Sequence, residues 1–301
     1  MSGLTVLEFT DPACPWAWGS EPTFRWLRSA LGEQADWRRV FGILFDPDED
    51  DPAPDPDAET RWYQGFVDGV CGHTGAPAAR RLEWVCLNSW PASRAATAAL
   101  AQGPELADRV LRRLREQVFV AGRPADTEDA VRAALTGLPG LDLDRLMREA
   151  ASAEVQARVR ADHALTRRPD PEVLRLRSTS SRADGPHPGA AKEVSDGYRY
   201  ALPTLVLEGP EGRAVVPGWR PPAAYVEAVR RVAPRVRLAG QQPSAEVALA
   251  RWRSLTGPEV NLLTADKYPP TTALEINLRH GSLWVHPAER NLDRIYQQLT
   301  D

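Results

Sequence analysis

The most constraining feature of the sequence is a cysteine placed between a strand and a helix near the amino terminus. Residues Leu4–Phe9 alternate apolar and polar side chains, which is typical of a half-buried strand. The segment Asp11–Pro15 is turn-forming, and from Trp16 apolar residues recur at helical spacing until Gly32. A second strand pattern covers Trp37–Phe45. A strand, a helix and a strand within about forty residues predict a right-handed βαβ unit with neighbouring parallel strands.

The remaining chain changes character in clear steps. Residues 59–165 are rich in Ala, Leu, Arg and Glu, and this helical stretch is too long to be a simple crossover between strands. Residues 167–195 are rich in Pro, Ser, Arg and Gly, which predicts a long irregular loop. Residues 201–216 contain two strand patterns around a turn, and residues 221–232 form a closing helix pattern.

These steps predict the domain organisation. Residues 1–58 and 196–235 are expected to form an α/β domain, into which residues 59–195 are inserted as a helical subdomain and a loop. A linker then leads to a small unit at residues 241–301, and we expect residues 1–235 to fold without it. The patterns of that unit predict a mainly helical, winged-helix-like fold, with helices at 244–254, 258–263 and 271–278 and a hairpin near 282–286.

Charge and hydropathy exclude several partners. The net charge is −4 and the pI is about 5.8, so no general attraction to nucleic acids or anionic membranes is expected. Residues 241–301 carry six basic and seven acidic side chains, whereas a DNA-binding winged helix should be basic. No apolar run approaches the roughly 18 residues of a membrane span, and no signal-like stretch precedes the first strand. A cytoplasmic location is therefore expected.

The sequence offers three cysteines, Cys14, Cys71 and Cys86, an odd and sparse set that argues against a disulfide framework. Their spacing does not match a zinc site. An acidic, proline-rich segment at residues 46–57 lacks the glycine and glutamate that an EF-hand loop requires, so a solvated loop is favoured. No metal site is predicted.

Cys14 is the residue best placed for chemistry. Backbone N–H groups and the positive end of the helix dipole stabilise a thiolate at a helix start, so we expect a lowered thiol pKa and a nucleophilic sulfur. Pro15 fits the first helical position, where no N–H partner is needed. The alternative is that Cys14 is only a small buried hydrophobe.

Several motifs then resemble one family in the same order along the chain. The segment Asp11–Trp18 is similar to the active-site turn of DsbA-like thioredoxin-fold proteins, especially the FrnE branch. That branch lies near kappa-class glutathione transferases and 2-hydroxychromene-2-carboxylate isomerases. Further segments resemble that family's other motifs: Asn88–Arg94, Phe119–Asp126, Leu202–Thr204 and Gly218–Pro221. The resemblance covers roughly residues 3–233 and implies an α/β thioredoxin-like fold with a large helical insertion.

The resemblance also implies a site. A cis Pro203 would face Cys14, and the backbone of Leu202 would bind substrate. Two departures from the family pattern bear on mechanism: Ala17 replaces the second cysteine of Cys-Pro-x-Cys, and Ser93 replaces a histidine. Besides catalytic Cys14, the expected substrate-binding residues are Pro15, Trp16, Trp18, Asn88, Arg94, Leu202, Pro203, Thr204 and Trp219.

Without a resolving thiol at position 17, two enzymatic hypotheses stay open. The favoured one is a thiol-dependent isomerase, in which Cys14 adds to a small conjugated, polyketide-like metabolite, permits rotation and leaves again. The alternative is a monothiol disulfide oxidoreductase, whose mixed disulfide is resolved by a low-molecular-weight thiol such as glutathione or mycothiol. A third hypothesis is a non-catalytic scaffold.

Partner expectations follow from these hypotheses. The substrate is expected to be a small molecule, either free or bound to an acyl carrier. No tightly bound cofactor, nucleic acid or membrane is expected, and a homodimer stays open.

Overall fold

The computed structural model describes residues 3–176, 189–238, 240 and 242–292. The strands in the described part of the chain are β1 (Leu4–Thr10), β2 (Ala35–Phe41), β3 (Ala191–Val194), β4 (Gly197–Tyr200), β5 (Thr204–Gly209), β6 (Gly212–Pro217), β7 (Ser254–Thr256), β8 (Leu274–Leu278) and β9 (Gly281–Val285). The α-helices in the same part are α1 (Pro15–Leu31), α2 (Pro56–Thr74), α3 (Trp90–Ala98), α4 (Pro104–Phe119), α5 (Glu128–Leu135), α6 (Leu143–Ala150), α7 (Ala153–Thr166), α8 (Pro171–Arg175), α9 (Pro222–Val232), α10 (Ala245–Trp252) and α11 (Gly257–Leu263).

The central sheet has the strand order β2-β1-β5-β6. Strands β1 and β2 are parallel, with Val6 opposite Trp37, which confirms the predicted βαβ start. Strand β5 runs antiparallel to both β1 and β6. Helix α1 ends at Gly32, whose φ of 53° suits a residue without a side chain. Side chains of β1 alternate between the two faces of the sheet: Leu4 and Val6 pack against α1, and Phe9 is buried on the opposite face.

The predicted helical insertion is confirmed, since α2 to α7 lie between β2 and the second half of the sheet. Its core is made largely of alanine and leucine from α3, α4, α5 and α6. Together with the sheet it gives an α/β thioredoxin-like fold with many helices, as the sequence predicts. Side chains of α2 and α1 form a second core layer with the segment after α4.

The predicted irregular loop at 167–195 is wrong in part. Residues 171–175 form α8, and residues 191–200 form a two-stranded hairpin of β3 and β4. Ser195 and Asp196 make its turn, and Gly197, the first residue of β4, adopts a φ of 137° that glycine tolerates. Residues 177–188 of that prediction lie outside the described residues.

The carboxy-terminal unit contains α10, β7, α11 and a β8–β9 hairpin, in a sheet of order β7-β9-β8. The predicted helix at 271–278 is wrong, because Leu274–Leu278 is strand β8. Its apolar residues recur every second position, which is the period of a strand that pairs on one side with β9. Whether residues 1–235 fold without this unit stays a prediction.

A buried network of charges connects this unit to α1 and α4. The carboxylate of Glu259 in α11 accepts hydrogen bonds from Arg25 Nη1 at 2.9 Å and from Arg112 Nη2 at 3.0 Å. In α1, Glu21 is paired with Arg25 at 3.1 Å and with Arg115. All five side chains are at least nine-tenths buried. Each charge in the network therefore has an opposite charge in contact.

A search of the described helices finds none that is both long enough and apolar enough to cross a lipid bilayer.

Candidate active site around Cys14

Cys14 sits at the junction that the sequence predicts. It is the residue before α1, with extended backbone angles (φ −83°, ψ 116°), and Pro15 is the first helical residue. The turn before it is fixed by Asp11, whose carbonyl accepts the Cys14 N–H at 3.3 Å and whose Oδ1 accepts the Ala13 N–H at 2.7 Å. This turn places the sulfur at the end of β1, facing the neighbouring strand β5.

The opposite wall is the loop that enters β5. The Leu202–Pro203 peptide bond is cis, as the resemblance implies. The Cys14 thiol donates a hydrogen bond to the carbonyl of Leu202, with 3.4 Å between the two heavy atoms. Thr204 is buried and its hydroxyl donates to the carbonyl of Ala201 at 2.6 Å, which ties the loop together. Cys14 and the cis-proline segment are thus in direct contact.

A cavity of about 190 Å³ opens beside the sulfur. Its walls are mostly aromatic and aliphatic, with two basic side chains on one side. They are formed by Cys14, Pro15, Trp16, Leu44, Phe45, Tyr63, Phe66, Lys192, Arg199, Ala201 and Leu202. The volume is similar to that of an engineered cavity of about 150 Å³ that holds benzene. One ring or a short thiol-bearing chain fits within it.

The electrostatics of the thiol correct the expectation of an activated cysteine. Cys14 is only 3% exposed, and burial raises its pKa from the ordinary value of 9.0 to about 11. Backbone hydrogen bonding at Ala17 and Trp16 and the charge of Arg199 act in the opposite direction. The helix start therefore favours the thiolate as expected, but the loss of hydration is the larger effect. At neutral pH the resting sulfur is protonated.

Asp11 is a second titratable group beneath the site. Burial raises the pKa of its carboxyl to about 6, although hydrogen bonds with Leu44, Ala13 and Ser89 lower it. The Leu44 N–H donates to Oδ2 at 2.8 Å and the Ser89 hydroxyl donates to Oδ1 at 3.1 Å. These contacts make Asp11 a positioning residue that joins the active-site turn to the segments after β2 and before α3.

The other cysteines are poor substitutes for a resolving thiol. Position 17 is an alanine, fully buried in the first turn of α1. Cys71 and Cys86 are free and buried, and burial raises the pKa of both; that of Cys71 reaches about 12. Neither contributes to the wall of the Cys14 cavity. A mixed disulfide at Cys14 must therefore be released by an external thiol.

An aromatic rim lies beside the site. Trp16 contacts the exposed His73 edge-on at 5.8 Å between ring centroids, and His73 contacts Trp219 in the same way at 4.9 Å. Trp219 follows β6, and it is half-buried near the Cys14 cluster of apolar side chains. Trp16 and Trp219 thus lie near the thiol, as the sequence hypothesis requires.

Three other expected substrate-binding residues lie away from the cavity wall. Trp18 is 1% exposed, stacks on Phe119 and donates its indole N–H to the carbonyl of Pro77 at 2.8 Å. The Asn88 side chain accepts the Trp90 N–H at 2.9 Å, a local hydrogen bond at the residue where α3 begins. Arg94 pairs with Glu128 at 3.6 Å. Trp18 thus joins α1 to the helical insertion, the Asn88 contact is local, and Arg94 joins α3 to α5.

Sequence reasoning missed most of the cavity wall. Tyr63 and Phe66 come from α2, and Lys192 and Arg199 come from the β3–β4 hairpin. The Asp-Gly pair flanked by alternating residues was a readable hairpin signal. No local signal in α2 indicates that its aromatic face would reach Cys14.

A cluster of Asp46, Glu49 and His163 has ligand atoms close enough together to hold a metal ion. Glu49, however, is in contact with Arg167, a cation that would compete with a metal for the same carboxylate. Asp46 Oδ1 also accepts the Asp48 N–H at 3.1 Å. The geometry is that of an ion-paired loop anchored on α7.

Comparisons with known proteins support the thioredoxin-like fold. The thioredoxin family model matches residues 7–170. The ClpXP adapter protein SpxH of Shouchella clausii is 26% identical over 171 residues, which is 57% of this chain and 56% of that protein. The match thus spans little more than half the length of this curated relative.

Two solved structures share the fold at low sequence identity. The cytosolic disulfide reductase DsbM of Pseudomonas aeruginosa is 18% identical with a TM-score of 0.52, covering 76% of this chain and all of that chain (100%). A probable DsbA oxidoreductase of Streptomyces coelicolor is 16% identical with a TM-score of 0.50, covering 81% of this chain and 95% of that one.

Proposed function

The chain belongs to the thioredoxin family, and from that premise we propose that it is a monothiol enzyme that uses Cys14 for thiol–disulfide exchange on small molecules. The observation that carries the proposal is the contact between Cys14 Sγ and the carbonyl of Leu202, at 3.4 Å, on the wall of a small apolar cavity. A substrate disulfide that enters this cavity meets the sulfur and the loop that can hold it in line.

The chemistry balances as two exchanges. The Cys14 thiolate attacks one sulfur of a small disulfide, a new S–S bond forms, and the other sulfur leaves with the electron pair of the broken bond as a thiolate. The proton released by Cys14 passes to solvent or to that leaving group. An external low-molecular-weight thiol of the glutathione or mycothiol class then attacks the mixed disulfide and releases Cys14. These two exchanges use one external thiol and yield one free substrate thiol and a new mixed disulfide between the external thiol and the other half of the substrate. A second external thiol exchanges with that mixed disulfide and releases the second substrate thiol, so two external thiols are oxidised for each disulfide fully reduced.

Cavity size supports a small substrate. A volume of about 190 Å³ accepts one ring or a short side chain, whereas a folded protein substrate could offer only a protruding cysteine. The similar DsbM structure is described as a cytosolic disulfide reductase. That description supports both the reductase reading and a cytoplasmic location for this chain, as proposals.

A second candidate is the thiol-dependent isomerase, placed in the FrnE branch, that the sequence favoured. The aromatic wall made by Phe45, Tyr63 and Phe66 supports it, because a conjugated, polyketide-like metabolite would stack there. Cys14 would add to one end of the conjugated system and leave again, so no second thiol is consumed. We rank it second because the family comparisons point to disulfide chemistry.

The curated relative named as an adapter protein supports a third possibility, a binding scaffold without catalysis. One experiment separates the three. Wild-type protein and Cys14→Ser are incubated with a small mixed disulfide and with a conjugated thioester, and intact mass and turnover are recorded. Exchange predicts a mixed disulfide at Cys14 that an added thiol removes with turnover, and isomerisation predicts turnover of the thioester alone. If the wild type forms no mixed disulfide and turns over neither compound, and so behaves like Cys14→Ser, only the non-catalytic scaffold is left.

Adding the missing thiol gives a sharper arm. In Ala17→Cys the two sulfurs lie three residues apart at a helix start, the spacing that dithiol members use. Disulfide reduction should increase in this variant if the cavity accepts disulfides. If the protein is an isomerase, Ala17→Cys should instead lose isomerisation of the conjugated thioester under oxidising conditions and regain it on reduction. That result would contradict the exchange proposal.

A further inference from the structure

Two cations face the same cavity from directly opposite positions. In the β3–β4 hairpin Lys192 is paired in register with Arg199, and both side chains line the Cys14 cavity. Like charges directly opposite on neighbouring strands destabilise a hairpin. Within the described part of the chain neither side chain forms an ion pair, and Arg199 Nη1 donates only to the carbonyl of Tyr200 at 3.1 Å. The hairpin thus places two positive charges, neither in a direct ion pair, beside the reactive sulfur.

The position of these charges is fixed by the fold. Tyr200 is 1% exposed, its ring packs tilted against that of Phe9 with 4.5 Å between centroids, and its hydroxyl accepts the Asp170 N–H at 2.9 Å. Arg199 precedes this anchor by one residue, and Leu202, whose carbonyl contacts Cys14, follows two residues later. The guanidinium is half-buried and acts electrostatically on Cys14 and Asp11.

Asp11 and Asp50, the acidic groups that act electrostatically on Arg199, form no ion pair with it in the described structure, and Asp50 accepts the Asp46 N–H at 2.9 Å. Asp11 is buried under the turn, where it accepts three hydrogen bonds from Ala13, Leu44 and Ser89. Glu193 is next to Lys192 but is paired in register with Tyr198, and successive strand residues point to opposite faces. Violations of a local rule without compensation are expected at functional sites.

The structure assigns to Lys192 and Arg199 an anion subsite that binds a carboxylate on the small substrate while its sulfur reaches Cys14. The inference rests on the proposed thiol chemistry and specifies the substrate class, an anionic small disulfide or thiol. Arg199 supplies planar N–H donors from a partly desolvated position, and exposed Lys192 adds a second charge at the entrance. The aromatic wall on the opposite side accommodates the apolar part of the same molecule.

Two chromogenic disulfides test this directly. Dithiobis(nitrobenzoate) carries carboxylates, whereas dithiodipyridine is neutral. Only the rate of Cys14 with the first compound should therefore depend on attraction between Lys192 or Arg199 and the probe. Each rate is divided by that of a free small thiol, which removes intrinsic reactivity. Protein with Cys71 and Cys86 replaced by alanine reports Cys14 alone. Wild-type protein should prefer the anionic probe, and added salt should reduce only that preference.

The variants are Arg199→Gln, Lys192→Gln and the matched control Arg235→Gln, an exposed cation that does not line the cavity. We expect Arg199→Gln to lower the ratio of the anionic to the neutral rate by about tenfold and Lys192→Gln to lower it by about threefold, because the ratio removes the effect of either charge on the Cys14 thiol itself. The control should leave both rates unchanged. Lys192 is exposed, so its variant gives a result even if Arg199→Gln folds poorly.

Other outcomes would overturn the inference in distinguishable ways. Equal slowing of both probes would mean that Arg199 acts on the thiol of Cys14 and not on the substrate. No change with either probe would mean that the pair does not bind the anion. Failure of wild-type Cys14 to react with either probe would instead reject the proposed function itself.

Discussion

The start and the middle of helix α1 differ in how they stabilise buried ionisable groups. In its middle, Glu21 and Arg25 belong to a network in which each side chain contacts one or more opposite charges. At its start, Cys14 lies in an apolar cavity where burial raises the pKa of the thiol to about 11 and that of neighbouring Asp11 to about 6. Both regions exclude water, yet the middle of the helix stabilises the charged form of Glu21, whereas at its start burial shifts the pKa of Cys14 and of Asp11 towards the neutral forms.

The difference shows what decides the protonation state of a buried group. Desolvation acts against charge at both places, and at Glu21 it is outweighed by the combined charges of Arg115, Arg25 and Arg28, which hold its pKa well below the ordinary range. At Cys14 the charge of Arg199 is not enough to do so. The network therefore stabilises the fold, while the start of α1 keeps a neutral thiol that a substrate or a change in hydration must activate.

The largest effect is expected where pairing is most complete. Glu259 is fully buried, and besides Arg25 and Arg112 it accepts the Thr256 N–H at 2.7 Å. Glu259→Gln keeps the shape but leaves two buried guanidinium groups with one counter-charge fewer. We expect a loss of about 3–5 kcal/mol in the free energy of unfolding, measured in urea.

The matched control for that variant is Asp144→Asn, which breaks a solvent-exposed pair with Arg132. It should change stability little, because exposed pairs contribute weakly. The rate of Cys14 with the neutral disulfide should be the same in Glu259→Gln as in the wild type under conditions where both are folded. A Glu259→Gln protein as stable as the wild type would show that the network does not stabilise the fold.

The two regions also predict opposite pH dependences of stability. The lowered pKa of Glu21 contributes stability above its ordinary value of 4.5, and this is lost as pH falls. The raised pKa of Asp11 contributes stability below its ordinary value of 3.8, and this is lost as pH rises through about 6. The Asp11 effect corresponds to roughly 3 kcal/mol over that interval.

Urea unfolding of Asp11→Asn and Glu21→Gln across this pH range measures both contributions. Each variant will be less stable overall, so the slope against pH and not its level is compared. Asp11→Asn should remove the loss of stability with rising pH, and Glu21→Gln should remove the loss with falling pH. An Asp11→Asn slope equal to that of the wild type would mean that Asp11 ionises normally in the folded protein.

A smaller effect, of about a hundredfold in rate, is expected for alkylation of Cys14. With a pKa near 11 in place of 9.0, the thiolate fraction at mildly alkaline pH should be about a hundredfold lower than in the urea-denatured chain. Iodoacetamide labelling followed by peptide mass spectrometry measures this for Cys14 separately from the other cysteines. Faster labelling in the native protein than in the denatured one would restore the expectation that the helix start activates the thiol.

How much the sequence could predict follows the same division. The strand, turn and helix around Cys14 are local features, and the resemblance supplied the cis Pro203; both match the structure. The pKa of Cys14 could not be predicted, because it depends on how completely side chains from α2 and the β3–β4 hairpin exclude water. Those segments are 40 residues or more from Cys14 in sequence, so Tyr63 and Arg199 come close to Cys14 only when the chain is folded.

Two further errors had readable causes. The segment Leu274–Leu278 has apolar residues at every second position, so a strand was the better prediction than a helix. Trp18 was assigned to the cleft because it lies near Cys14 in sequence. Helix α1 is buried on nearly all sides, and Trp18 lies two residues after the cavity-lining Trp16, roughly 200° further around the helix, so it contacts Phe119 on the other side. The position of a helical residue relative to a site depends on its face as well as on its sequence distance.

The smallest effect is expected from adding an opposite charge beside Arg199 in the β3–β4 hairpin, so that the cavity next to the start of α1 contains an ion pair like those in the middle of that helix. Lys192→Glu places a carboxylate opposite Arg199 and turns a like-charged cross-strand pair into an opposite-charged one. The free energy of unfolding should rise by about 0.2–1 kcal/mol, and the rate with the anionic disulfide should fall while that with the neutral disulfide stays the same. Lys192→Gln is the matched control, because it removes the repulsion without adding an attraction. It should give a smaller gain in stability and a smaller loss of anionic preference.

Equal results for the two variants would mean that Arg199 does not reach its cross-strand neighbour, and then the two cations could not bind one carboxylate together. A larger effect of Lys192→Glu than of Lys192→Gln would instead show that the introduced carboxylate pairs with Arg199 and competes with the substrate for it. Arg199 would then contribute to stability when it is paired, as the charges in the middle of α1 do, and to binding when it is not.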